Sequence, residues 1–439
     1  MRDLLVLLFF IASLPVSFRN PVHGVLLYAL VSYLNPQRLT WGFAFNLPIA
    51  FGIAVATLMG IALYKGDRRL PLSREVCLII ALWVLASLGW FIALSPEGFR
   101  EEWERFTKIL IMILATVSLV KTRRDLRLLY WVIALSIGFY ILKGAVWGVL
   151  GGAQSGGLMW GPEGTFFADN NAMGMVVNMV WPLLFFMPRH ENNKWARLLL
   201  QGLFWVSPLT VVLTRSRGAA VAMCVTGIFL FRVIKNKMAF AVVALLALLI
   251  MLPMVPGAWF DRMHTISNYE EDSSAMGRIN MWRAGWNLAL DRPLTGGGLS
   301  AFTSPETAVR YAPDPENFHD IHSVYFEVLG EMGFPGLAVF VMLLVLVVMR
   351  LHRVRVNSVI LSEGQFYADY ADAVRLGIIA YMVNGVFLKM ACFDLFYQYV
   401  GMAMSLMVLQ NEELRQLSDD VEISVQVDYE SQTAVSAQE

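Results

Sequence analysis

Residues 322–349 read HSVYFEVLGEMGFPGLAVFVMLLVLVVM, a histidine and a serine that pass directly into a long apolar run. A helix needs roughly 20 apolar residues to cross a bilayer, and this run supplies them. Before it, from Trp259 to Gly336, lies a polar interruption in a chain that is otherwise almost all apolar. The interruption carries Gly277-Arg278, Trp282, Pro293 and Gly296-Gly297-Gly298, and closes on His322-Ser323 and Glu331-Met332-Gly333. A long loop of this kind, held between two membrane helices, is a candidate reaction chamber facing one side of a bilayer.

The composition agrees. Of 439 residues, 57% are hydrophobic and only 15% charged, with a mean hydropathy of +0.58, which excludes an ordinary soluble domain. Lys+Arg and Asp+Glu balance at 34 each, so no charge excess points to a nucleic-acid partner. Cys77, Cys224 and Cys392 are too scattered for a disulfide framework or a paired-cysteine metal site. The first 18 residues have the look of a signal peptide. They lack a small-residue cleavage site and lead straight into further spans, and so read as a retained segment.

Apolar runs predict an all-α polytopic membrane protein with 12 or 13 transmembrane helices. They lie at about 4–18, 22–34, 43–63, 75–94, 107–120, 127–149, 169–187, 197–213, 218–233, 238–257, 322–349, 374–390 and 394–409. The first two are short, and only Arg19-Asn20-Pro21 separates them, so they read equally as two thin spans or one bent hairpin. Basic residues fill alternate loops (Lys65/Arg68/Arg69/Arg74, Lys121/Arg123/Arg124/Arg127, Arg189/Lys194/Arg197, Arg232/Lys235/Lys237 and Arg350/Arg353/Arg355). The positive-inside rule makes these cytoplasmic, and makes the 258–321 loop, with its short helices, extracytoplasmic. Residues 1–410 then form one membrane domain. The acidic, Ser/Gln-rich 411–439 tail reads as disordered and cytoplasmic.

The long loop holds Arg262, Arg278, Arg283, Arg292 and Arg310 and no lysine. Arginine presents a rigid fork of donors that grips phosphate through two hydrogen bonds, whereas lysine is a mobile point charge. Acidic residues outnumber these arginines, so most of them read as surface ion-pair partners. Arg278 differs: on a helix it shares a face with Trp282, Gly285 and Ala289. Arg215 and Arg217 stand at the rim where positive-inside bias opposes them. They either snorkel to headgroups or serve a site, and on one helix they would diverge. His322 at the loop–membrane junction is a candidate proton acceptor, with a structural histidine as the plainer alternative. A His319/His322 metal site lacks a third ligand, so no metal is expected. Asn170 and Asn171 follow Asp169 at another helix mouth, suited either to sugar hydroxyls or to capping. Gly296-Gly297-Gly298 lacks the strand and helix of a phosphate-cradling loop and reads as a turn.

In this order, Asn170-Asn171, Ser216-Arg217-Gly218, Gly277-Arg278 with Trp282, Pro293 and Gly296-Gly297-Gly298, then His322-Ser323 with Glu331 and Gly333, the chain resembles the O-antigen ligase/polymerase superfamily. The opening Asn35-Pro36-Gln37-Arg38-Leu39-Thr40-Trp41-Gly42 and Asp169-Asn170-Asn171 resemble its branch of O-glycosylation ligases found with bacterial exosortase systems. The resemblance spans residues 1 to about 410. It implies a membrane glycosyltransferase of the bacterial inner membrane with its active face in the periplasm. Its donor would be a glycan on undecaprenyl diphosphate, and its acceptor a hydroxyl on a protein, lipid or glycan. It also implies roles: His322 catalytic, Arg278 with Arg217 or Arg215 on the diphosphate, and no cofactor or metal. A polymerase of lipid-linked repeat units would use the same motifs. A lipid-glycan flippase would instead place charges near the bilayer midplane.

Overall fold

In the computed structural model the chain is helical, with no strand among the described residues, which are 1–152, 157–252, 255, 257, 259, 273–316 and 319–436. In order the helices are α1 (Arg2–Arg19), α2 (Pro21–Leu34), α3 (Ile49–Leu63), α4 (Arg74–Ser87), α5 (Gly89–Ile92), α6 (Pro96–Leu119), α7 (Arg123–Val149) and α8 (Asn170–Phe186). There follow α9 (Lys194–Leu213), α10 (Arg217–Val233), α11 (Lys237–Met251), α12 (Ser273–Asp291), α13 (Pro305–Tyr311), α14 (Val324–Asn357), α15 (Gly364–Asn384) and α16 (Asp394–Ser436). Among the described residues five stretches are long and apolar enough to cross a membrane: Arg74–Ile92, Arg123–Val149, Asn170–His190, Lys194–Leu213 and Val324–Ile360. Helices α3 and α11 are shorter apolar elements.

The loops sort to two ends. At one, the basic residues meet acidic partners from other parts of the chain: Arg127 with Glu191 (2.9 Å), Arg189 with Asp369 (2.8 Å), Arg350 with Glu75 (2.9 Å) and Arg355 with Asp372 (2.7 Å). The other end gathers the long polar segment and its neighbours, with Asn170 Nδ2 donating to Thr214 O (2.8 Å) and Val324 N to Gly385 O (2.7 Å). The N-terminus is at this second end too. Ala44 N donates to Asp3 Oδ1 (3.0 Å), and the Arg2 guanidinium lies 4.7 Å from the Trp41 ring centroid. Asn20 caps α2 by accepting from Val22 N (3.2 Å), and Pro21 occupies its first turn, where its missing N–H costs nothing. The first two apolar runs are therefore separate antiparallel helices, and Met1 shares an end with the long polar segment.

Helix α8 is the axis of the bundle. Its apolar stretch is buried almost all round, so its polar groups must find partners inside. Asn178 Nδ2 donates to Ala219 O (2.8 Å) and Trp181 Nε1 to Phe204 O (3.0 Å), while Met179 O accepts from Tyr399 (2.9 Å). The long polar segment builds a small core of its own from Met281, Ala284, Leu288, Phe302, Tyr311 and Ile321. Helices α12 and α13 lie within it, as the short helices expected there.

Several boundaries differ from those read in the sequence. The third apolar run begins at Ile49 rather than 43, because Pro48 precedes the helix and 43–46 turns in a 3-10 loop. The run at 374–390 belongs to a helix that starts at Gly364 and stops at Asn384. Its early turns tolerate Asp369 and Asp372 because arginines pair with both. Residues 385–393 are thus a turn, and Lys389 lies outside the helix. Helix α16 runs on past Asn411 to Ser436, and no glycine or proline interrupts it there. Within α14, Gly333 breaks the helix at φ +67°, ψ −169°.

Candidate functional site

The rim is built around the N-terminus of α8. Asp169 caps it, accepting from Asn171 N (2.7 Å) and Ala172 N (3.2 Å), and Asn170 ties it to Thr214. Asn171 Nδ2 lies 3.5 Å from Asn170 Oδ1. Asn170 thus acts as a strut for the 214–218 turn, and Asn171, half-buried, is the more available of the two. Arg215 and Arg217 are not on one helix. Arg215 sits in the turn at φ +53°, with only 8% of its surface exposed, and Arg217 is the first residue of α10, which Ser216 caps. A non-glycine residue in the left-handed region costs roughly 1–2 kcal/mol, strain of a kind that gathers at functional sites. Gly218 packs this turn onto residues 385–388: a Cβ there would lie 2.9 Å from the Phe387 ring.

His322 stands just before α14, half-buried. Its Nδ1 lies 2.8 Å from Asp320 O. A carbonyl oxygen only accepts, so in the neutral ring the proton is on Nδ1 and Nε2 keeps its lone pair. Helix α12 supports this segment. Trp282 stacks on Phe326 (centroids 5.4 Å apart, planes at 10°), and its Nε1 donates to His322 O at 3.4 Å. The His319 ring lies against Gly277, the neighbour in sequence of the half-buried Arg278. Asn280 fixes α12 further through Asp314, donating to its carbonyl (2.7 Å) and accepting from its N–H (3.0 Å).

The 385–393 turn joins the two halves of the rim, and sequence reasoning did not find it. It packs on Gly218 at one side and pairs with Val324 at the other. Lys389 Nζ lies 3.4 Å from Asp320 Oδ1, on the residue whose carbonyl orients His322. Glu327 Oε2 accepts from Ala391 N (2.9 Å), and Glu331 is buried one turn further along α14. Burial alone would push the Lys389 ammonium down, but Glu331, Asp320 and Glu327 outweigh it and hold the pKa above the ordinary lysine value. The signal available in the sequence was a lysine within an apolar run. Lys389→Met is expected to destabilise the chain by roughly 1 kcal/mol, because it removes a pair whose aspartate is nearly half exposed, together with the positive charge nearest the buried Glu327 and Glu331. Thermal unfolding of the purified chain in micelles checks this. An unchanged melting temperature would show that Glu327 and Glu331 do not need the lysine.

Other predicted residues have structural work. Arg292 Nη1 donates to Ile92 O (3.0 Å), and Arg310 forms an exposed pair with Asp291 at 3.7 Å. Arg262 lies outside the described residues. Gly296-Gly297-Gly298 is the turn expected, with a definite task. Gly297 N and Gly298 N donate to Gly330 O (2.8 Å) and Glu331 O (2.9 Å), and Pro293 O accepts from Phe334 N (2.9 Å). Backbone groups freed by the Gly333 break are satisfied in this way.

Comparison with known families adds two matches. Residues 202–341 match the family model described as O-antigen ligase. Residues 1–192 match a family of unknown function, DUF5935. No curated protein matches the chain. The first match contains Arg215, Arg217, Arg278 and His322, and the second contains Asn170 and Asn171.

Proposed function

We propose that this member of the O-antigen ligase superfamily transfers a glycan from undecaprenyl diphosphate to an acceptor hydroxyl at the periplasmic face of the bacterial inner membrane. The family implies a glycan-transferring or polymerising enzyme in a membrane setting. The hydrogen bond from His322 Nδ1 to the Asp320 carbonyl, which leaves Nε2 as a base, is what supports this transfer. Nε2 takes the proton of the acceptor hydroxyl as its oxygen attacks the anomeric carbon. The bond from that carbon to the diphosphate oxygen breaks, and undecaprenyl diphosphate leaves with the electron pair. Arg278, with Arg217 or Arg215, stabilises the charge that develops on the leaving group. Arginine forks supply positive charge here without a metal. Asn171 faces the sugar, with Asn170 behind it.

The purified chain in vesicles, given a polyprenyl-diphosphate glycan and a hydroxyl acceptor in the presence of EDTA, is expected to release one lipid diphosphate per acceptor labelled. Label passing only to the glycan of a second donor would make the enzyme a polymerase. Loss of transfer in EDTA, restored by a divalent ion, would overturn the arginine-only account.

A further inference from the structure

Away from His322 but at the same end of the bundle, a cavity of about 620 Å³ opens between α2, α3 and α6. Three cations line it, Arg38, Arg105 and Lys108, and its lower wall is apolar, with Phe51, Ala54, Ile109 and Met112. Phe51 is 59% exposed, so the apolar wall continues onto the outer surface of the bundle. These cations lie opposite the basic end, where positive-inside bias disfavours them, and so they need a reason.

Arg105 pairs with Glu102 (2.5 Å) and Lys108 with Glu104 (3.4 Å), yet both cationic side chains remain more than half exposed. Arg38 is held more firmly. Its guanidinium lies 4.5 Å from the Phe45 ring centroid and donates to Asn46 Oδ1 at 3.4 Å. It also fills the space beside Gly164, where a Cβ would come within 2.9 Å of its Cζ; Gly164 itself has φ +71°. The one carboxylate on the wall, Asp394, accepts from Tyr33 (3.2 Å). Cys392 closes the back of the cavity, next to the Ala391 N–H that Glu327 accepts.

We propose that this cavity binds the phosphate headgroup of a membrane lipid, with the hydrocarbon laid along α3 and α6. A pre-positioned arginine fork beside two further cations suits phosphate oxygens, and the volume suits a headgroup. The apolar wall running out past Phe51 suits an attached chain and gives a soluble phosphate nothing to bury. All three cations belong to the 1–192 segment, outside the O-antigen ligase match. The test of this lipid site reads binding alone and does not rest on the chemistry at His322.

The full chain in phosphate-free maltoside micelles is titrated with dioleoyl phosphatidic acid, and bound lipid is counted by native mass spectrometry. Arg38→Gln with Arg105→Gln is expected to weaken retention by about tenfold or more, as loss of charge-assisted hydrogen bonds requires. Ala54→Trp, which leaves every cation in place and fills the apolar wall, is expected to weaken it too. It also carries the test if the double variant does not fold. Inorganic phosphate at the same concentration is expected not to displace the lipid. Retention unchanged in the variants that fold, or displacement by phosphate alone, would overturn the proposal.

Discussion

His322→Ala is expected to lower kcat/KM for glycan transfer by about 10²–10⁴-fold, the usual contribution of a positioned general base, with normal amounts of folded protein in the membrane. The fold should survive because His322 is half-buried and stands ahead of α14, whose first turns are held by Val324, Tyr325 and Glu327. His319 cannot take over the role. Its ring lies against Gly277, on the α12 side, and His319→Ala is expected to keep most of the activity. His322→Asn is the sharper variant. An asparagine amide nitrogen occupies the place of Nδ1 and can still donate to the Asp320 carbonyl, but it offers no basic lone pair. Transfer measured with a fixed donor and acceptor should therefore be as low for His322→Asn as for His322→Ala. Full activity in either variant would end the general-base mechanism.

Gly333→Ala is expected to destabilise the chain by roughly 3 kcal/mol or more. The backbone at φ +67°, ψ −169° belongs to a region open essentially to glycine alone, and a side chain there costs of order 1–3 kcal/mol. The new Cβ would also lie 2.5 Å from Pro293 O, the acceptor for Phe334 N. Relief of that clash would pull away the 293–298 turn and weaken three backbone hydrogen bonds, each worth about 1 kcal/mol net. Transfer activity should fall with stability, because the same turn packs α12, and so Trp282, against the His322 segment. Gly202→Ala is the matching control. It lies within α9 with open space around it and should be neutral or slightly stabilising. Equal melting temperatures for wild type and Gly333→Ala would mean that the break in α14 is not required.

Apolar run length and the alternation of basic loops are local properties of a chain, and from them the sequence alone determined a helical membrane protein with its basic loops at one end. It also picked out His322, Arg278 and the 214–218 turn, because charges beside apolar runs are costly enough to stand out. It could not say whether the first two runs were one hairpin or two helices. Asp3 on Ala44 and Arg2 on Trp41 decide that, and both contacts join residues some forty positions apart. Glu331-Met332-Gly333 read as part of a site motif, yet its glycine is needed for the backbone: a helix break does not show until its freed carbonyls meet Gly297 and Gly298. Lys389 falls inside the apolar run at 374–390. Only the folded chain brings Asp320 and two buried glutamates from α14 to it, and makes the 385–393 turn a joint between the two halves of the rim. Periodicity and charge alternation survive in one dimension. Pairings between distant residues do not, because they depend on which helices the bundle sets side by side.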